Sequence, residues 1–454
     1  MTGTPPRLTR RVFLAAAAAT GLSAQTRRPN IIVILADDLG HGECGFQGMS
    51  GDIPTPNIDS ISSSGVRFTQ AYVSAPFCFP SRAGLMTGRY QTRFGHEMNV
   101  VGVRNNAPGV GLPLNEKTMA DRLKAAGYST ACAGKWHLGG QPEFHPQRRG
   151  FDEFFGFLHE GHFYYAPPFR GAVTRLRTNE PPYDDGNPVM RGSDPIEETA
   201  YLTDAFAREA AAFIDRQIAA TRPFFLYLPF NAIHSPMQAP VPLVRAFPRI
   251  QDEQRRLFAA MLASMDRAVG VVLAKLRERG IENDTLIFFL SDNGGPTAEL
   301  TSSNAPFRGG KGQLWEGGIR VPFCMQWKGR IQTQTFEQPV IALDILPTVL
   351  AAAGAPAVVG LDGRNLIPYL TGQAVAGPPH PTLFWRYGRN LALRKGKYKL
   401  LRQSQQQGHG PFQLFDLAAD HTESNDLSGA LPEVVAELRR DLEQFNAAMK
   451  PPLW

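Results

Sequence analysis

The sequence predicts an α/β protein: a mainly parallel sheet flanked by helices, followed by a smaller antiparallel sheet with a helix packed on it. Three observations predict it. Continuous apolar runs recur and end in polar residues, helical periodicity fills the stretches between them, and the pattern changes beyond residues 351–360 (AAAGAPAVVG). Apolar runs of this length suit strands buried on both faces. Strands alternating with helices build a parallel sheet.

The strand candidates are NIIVILADD (30–38), YSTACAGKWHLG (128–139), PFFLYLPFNAIH (223–234) and DTLIFFLSDNGG (284–295). Helical candidates lie between. Residues 115–127 start at Asn115 as cap and stop at Gly127. Residues 199–217 space Leu202, Phe206, Ala210, Phe213 and Ile214 at helical intervals, and residues 252–279 do the same with Leu257, Met261, Met265, Val269, Leu273 and Leu276. The stretch from Gly161 to Asp194 is rich in Pro and Gly and reads as a long functional loop. TLFWRYG, NLALRKG, KYKLLRQ and FQLFDLA then read as short strands, with one helix around 431–448.

Of 454 residues, 43% are hydrophobic and 19% charged, so a large core is available and global disorder is excluded. The net charge is +6. Arg7, Arg10 and Arg11 supply half of it ahead of the apolar run from Val12 to Ala24, and the first 24 residues contain no acid. This basic, apolar, small-residue order predicts an export signal over residues 1–27, with paired arginines resembling a twin-arginine signal. The chain is expected in the periplasm or outside the cell. The apolar run is too short to span a bilayer, so no stable membrane insertion is expected. Without the first 24 residues the charge falls to +3, weak footing for a nucleic-acid partner. The four cysteines are too few for a disulfide framework. Cys44 reads as packing.

In an open α/β sheet, ligands bind at the carboxyl ends of the strands. Asp37 with Asp38, Lys135 with His137, His234, and Asp292 with Asn293 all stand at such ends. One such cluster alone is better read as turn chemistry; four are not. Three carboxylates and an amide oxygen are hard donors that suit Ca²⁺ or Mg²⁺, whereas the histidines lack zinc spacing. In PFCFPSRAGLMTGRY (76–90), Pro80 suits the first turn of a helix. Cys78 then sits at a helix N-terminus, with Arg82 one turn on, as a candidate reactive thiol.

Cys78-Phe79-Pro80-Ser81-Arg82, followed by Gly88-Arg89, resembles the signature of the formylglycine-dependent sulfatases. ADDLGHGECG resembles that family's first metal strand, GKWHLG its second signature, SDNGG its second metal strand and FRGGKGQLWEGGIRVPF (307–323) its lysine loop. Together these cover most of residues 29–350 in the family's order. RGFDEFFGF and the lysine loop are most similar to arylsulfatases and N-acetylgalactosamine-6-sulfatases, which implies a sulfated small molecule or saccharide as substrate.

The resemblance implies an alkaline-phosphatase-like fold, with a catalytic domain over 28–356 and a C-terminal α+β subdomain over 357–454. It implies that a formylglycine-generating enzyme converts Cys78 to 3-oxoalanine (formylglycine), whose hydrate attacks sulfur with one hydroxyl and releases sulfate by deprotonation of the other. By the same resemblance, Asp37, Asp38, Asp292 and Asn293, with residue 78, hold Ca²⁺ (or Mg²⁺). Arg82 and Lys135 steady the diol, His137 is the base, and His234 and Lys311 bind sulfate and protonate the leaving alcohol. His159 and His162 contact substrate. A phosphate or phosphonate ester hydrolase on the same scaffold, and a non-catalytic carbohydrate-binding protein, are the competing readings.

Overall fold

The computed structural model describes residues 1–3, 28–49, 51–178, 180, 181, 183, 186–373, 375–404 and 410–454. The basic and apolar run of the expected export signal lies outside them. A ten-stranded sheet runs through the centre. Its order is 334–336, 66–68, 323–326, 285–291, 30–36, 224–229, 129–135, 153–157, 190–191 and 194–195. The middle five, from Thr285–Ser291 to Glu153–Phe157, are all parallel. The four expected strands are therefore neighbours. Antiparallel pairings enter only toward the two edges.

Strand alternation splits the core into two layers. Ile32, Ile34 and Ala36 face one apolar cluster, which includes the helices Leu202–Ala220 and Glu253–Glu278. Ile31, Val33 and Leu35 face the other, which takes in Met119–Ala125, Ile345–Ala352 and part of Cys78–Thr87. A strand buried on both sides cannot alternate polar and apolar residues, which is why these runs are continuous. The Glu253–Glu278 helix has the length and hydropathy of a membrane span, but most of it is buried in the first layer. It is a core helix.

One expected start is corrected. The helix predicted from Asn115 begins at Met119, capped by Thr118. Thr118 Oγ1 accepts from the Asp121 amide at 3.0 Å and Asp121 Oδ2 accepts from the Thr118 amide at 2.9 Å. This reciprocal box satisfies two terminal amides at once, so it outcompetes a lone asparagine. The Gly161–Asp194 stretch is less irregular than expected. Ala172–Arg175 pairs antiparallel with Met237–Pro240, and Met190–Arg191 joins the sheet edge.

Beyond residue 380 the antiparallel strands Thr382–Tyr387, Asn390–Lys395, Tyr398–Arg402 and Gln413–Asp416 form a separate sheet, with Pro432–Ala447 packed on it. Trp385 joins this sheet to the rest of the chain. It is fully buried, its ring lies 5.2 Å from that of Tyr72, and its Nε1 donates to the Val73 carbonyl at 2.7 Å. Trp385→Ala should lower the unfolding free energy by about 3–5 kcal/mol. Urea titration checks this, and a loss under about 1 kcal/mol would show that the two sheets do not depend on this joint.

Candidate active site

Parallel strands present their carboxyl ends to one edge, and register decides which residues meet there. Ala36 pairs with Ser291 and Leu35 with Pro229. Asp37 and Asp38 therefore leave their strand beside Asp292 and Asn293. The Asp292 amide donates to the Ala36 carbonyl at 3.1 Å, and the Asp37 amide to the Ala232 carbonyl at 2.9 Å. Asp38 turns away in a left-handed conformation (φ 64°), and Ser302 Oγ donates to its carbonyl at 2.9 Å.

The side chains converge. One ligand atom each from Asp37, Asp38, Cys78 and Asp292 lies within 4.8 Å of the others, all buried. Cys78 opens the Cys78–Thr87 helix, and its Sγ donates to Asp37 Oδ1 at 3.4 Å. Arg82, fully buried one turn later, donates through Nε and Nη2 to Asp292 Oδ2 at 2.9 and 2.8 Å and through Nη1 to the Lys135 carbonyl at 3.0 Å. Lys135 Nζ pairs with Asp37 Oδ2 at 2.5 Å. Lys311 Nζ pairs with Asp38 Oδ2 at 2.7 Å, and Asn293 Nδ2 donates to Asp38 Oδ1 at 2.7 Å. His234 Nε2 stands 3.8 Å from Asp38 Oδ2.

Three acids thus face three cations in a buried space, and the charges set the protonation states. Burial pushes Asp38 upward, but Lys311 and then His234 pull it down to about 2. Burial and then Asp37 push Asp292 up. Burial opposes the charge on Arg82, yet Asp292 and Asp37 hold it firmly protonated. Burial, then Lys135, hold His137 neutral; burial, then Lys311, lower His234 to about 3. Burial, then Asp292, push the Cys78 thiol well above its ordinary range. The helix N-terminus does not make this cysteine a ready thiolate, contrary to the expectation from its position.

The residues fit a hard divalent cation. Asn293 Oδ1 is buried and has no hydrogen-bond partner among the described residues, while its amide nitrogen is fully engaged with Asp38 and the Gly294 carbonyl. An orphaned oxygen beside three carboxylates is a donor awaiting a positive charge.

Cys78, His234 and Lys311 line a cavity of about 630 Å³. The other candidates, His159 and His162 included, are not among its lining residues. His159 Nε2 is 3.0 Å from Asn106 Oδ1, and His162 Nδ1 is 2.8 Å from the Phe163 carbonyl. Glu160, between them, does line the cavity, as do Asn99, Arg177, Tyr183 and Glu299. Arg177 and Tyr183 belong to the Gly161–Asp194 stretch that reads as a functional loop. No motif marked Asn99, Glu160 or Glu299, because their place depends on how distant parts of the chain meet.

A mainly parallel α/β sheet gathering acids, cations and a cysteine that opens a helix at its strand ends defines an alkaline-phosphatase-like hydrolase. The chain belongs to the sulfatase family: residues 29–355 match it, and residues 310–448 match the family described as N-sulphoglucosamine sulphohydrolase, C-terminal. It is 35% identical to dog (Canis lupus familiaris) N-acetylgalactosamine-6-sulfatase over 407 residues, covering 86% of this chain and 74% of that protein. It is 34% identical to human (Homo sapiens) arylsulfatase A over 476 residues, covering 93% and 89%. A crystal structure of Ps i-CgsB in complex with k-i-k-neocarrahexaose is 36% identical over 94% of this chain and 95% of that one, with a TM-score of 0.85. The phosphonate monoester hydrolase SpPMH from Silicibacter pomeroyi, at 20% identity, covers 93% of this chain and 96% of that one with a TM-score of 0.67, and shares the fold alone. The chain is a sulfatase, an enzyme of sulfate ester hydrolysis.

Two outcomes test the electrostatics. Arg82→Leu strands Asp292 without its buried partner and should cost about 3–5 kcal/mol in urea titration, whereas Lys124→Ala, which removes the half-exposed pair of Lys124 with Asp152, should cost about 1 kcal/mol or less. Equal effects would refute the assignment. His96, stacked on Phe79 at 4.1 Å, is lowered by burial from 6.5 to about 3. The unfolded chain takes up a proton that the folded one refuses, so stability is full above pH 6.5 and falls as pH drops from there toward 3. His96→Phe should flatten the slope of unfolding free energy against pH by about one proton in that window; an unchanged slope would count against it.

Proposed function

We propose that this sulfatase releases inorganic sulfate from a sulfated saccharide, using a formylglycine derived from Cys78 and a divalent cation, Ca²⁺ or Mg²⁺. One observation carries this reading: Cys78 shares a buried point with Asp37, Asp38 and Asp292, where Asn293 offers a free oxygen. These five residues would hold the ion. A cation there would supply Lewis-acid polarisation of a sulfate oxygen. Residue 78 as formylglycine would supply two hydroxyls on one carbon, one to attack sulfur and one to be deprotonated for release.

The remaining steps belong to the chain's own side chains. Arg82 and Lys135 fix Asp292 and Asp37 and concentrate positive charge beside residue 78. His137 is suited to act as base. Its Nε2 lies 2.8 Å from the Val100 carbonyl, which can only accept, so Nε2 carries the proton and Nδ1 keeps a lone pair. That Nδ1 is buried and without a hydrogen-bond partner among the described residues. Lys311 and His234 reach the cavity wall, where they bind the sulfate and deliver a proton to the leaving oxygen. Because the thiol itself is held protonated, the unmodified cysteine makes a poor nucleophile.

The saccharide substrate is supported by likeness to Ps i-CgsB, crystallised in complex with k-i-k-neocarrahexaose. Maturation then requires a formylglycine-generating enzyme. Residues 1–27 would direct export to the periplasm or beyond. Residues 28–356 form the catalytic part, and residues 357–454 the subdomain. Peptide mass analysis of natively produced protein should show the aldehyde or its hydrate at residue 78, and Cys78→Ala should abolish turnover of aryl sulfates. A pure thiol in fully active protein would sink the mechanism. Aryl phosphate turned over faster than the matching aryl sulfate would favour a phosphate or phosphonate ester hydrolase instead.

A further inference from the structure

Lys311 stands on a glycine-rich loop. Gly309 and Gly312 take left-handed backbones (φ 80° and 86°), and a side chain at Gly310 would meet the Gly295 carbonyl at 2.5 Å. Beside the lysine the loop is tied by the Gly312 amide, which donates to the Pro76 carbonyl at 2.9 Å, and by Asn304 Nδ2, which donates to the Gly309 carbonyl at 3.1 Å. A run of glycines is conformationally permissive, so the position of the lysine also depends on how the two ends of the loop are held.

Its two ends meet one residue of the C-terminal part. Arg308, before the lysine, donates from Nη1 to the backbone carbonyl of Glu423 at 3.1 Å, and its guanidinium lies 3.9 Å above the Trp315 ring. Glu316, after the lysine, donates its amide to the Glu423 carboxylate at 2.6 Å. The Gly317 amide also donates to the Arg308 carbonyl at 2.8 Å, drawing the two ends together. Lys399, on the Tyr398–Arg402 strand, lies between both acids, with Nζ 2.9 Å from Glu316 Oε1 and 2.8 Å from Glu423 Oε1. Glu316, Lys399 and Glu423 are all fully buried. Glu423 itself holds a left-handed backbone (φ 54°), a conformation seldom adopted by residues other than glycine and asparagine. Strained and buried, it is costly unless its contacts require it.

We propose that Glu423 is a positioning residue: it clasps both ends of the loop, through its carbonyl and its carboxylate, and so sets where Lys311 Nζ stands at the cavity wall. The C-terminal sheet thereby takes part in substrate binding without touching substrate. The inference rests on the reading of Lys311 as a sulfate-binding group.

A double-mutant cycle on the mature, full-length enzyme with p-nitrophenyl sulfate tests it. With Lys311 present, Glu423→Ala should lower kcat/KM by about 10–10²-fold, mainly through KM. In the Lys311→Ala background the same change should cost less than about twofold. Glu423→Gln, which still accepts the Glu316 amide, should recover most of the loss. Equal losses in both backgrounds would overturn the positioning role. Lys311→Ala without effect by itself would overturn the reading of Lys311 and take the positioning role with it, an outcome visible in that single variant alone. Should Glu423→Ala fail to fold, Arg308→Ala on the exposed side of the clasp runs the same cycle and decides it by the same criterion.

Discussion

Like charges repel strongly in a buried space, and the centre of this protein consists of three carboxylates that must share one. Lys135, Arg82 and Lys311 make that possible by answering Asp37, Asp292 and Asp38 in turn. Each cation comes from a different part of the chain: a strand end, a helix and a loop. The acids therefore bind three otherwise separate elements to the edge of the central sheet. Removing one partner would leave a charge uncompensated in low dielectric, which costs far more than the pair itself contributes.

The arrangement also explains how the site is poised. Arg82 and Lys135 are fully buried and bonded to acids, and Arg82 also donates to the Lys135 carbonyl. Lys311 is different. It reaches Asp38 from a loop of glycines and lines the cavity. Arg82 and Lys135 answer two of the acids from behind, and Lys311 answers the third from the cavity side. The Glu423 clasp holds the two ends of that loop.

Burial, and then the same field, keep the imidazoles of His137 and His234 neutral. Lys135 and Lys311 stand close enough to oppose a further positive charge on His137 and His234. A neutral ring can accept a proton, and which nitrogen accepts it follows from the carbonyl bonded to the other. The geometry thus separates a deep, buried ring at His137 from a wall residue at His234.

The sequence alone was enough for the five-motif order, the four strand ends and the alternation of strand and helix, because these are local patterns with a fixed period or spacing. Asp37, Asp38, Asp292 and Asn293 could be gathered on paper since parallel strands must present their ends together. Other features were decided only in three dimensions. Thr118 displaced Asn115 as a cap because its bond to Asp121 closes a box. His159 and His162 lie off the cavity lining while Glu160 between them is on it, a matter of loop packing that residue type does not encode. Glu423 carried no motif at all; its role depends on Arg308, Glu316 and Lys399, up to 115 positions away. Spacing along the chain records what neighbours in sequence require of each other, but only the folded backbone records which distant side chains must share a charge.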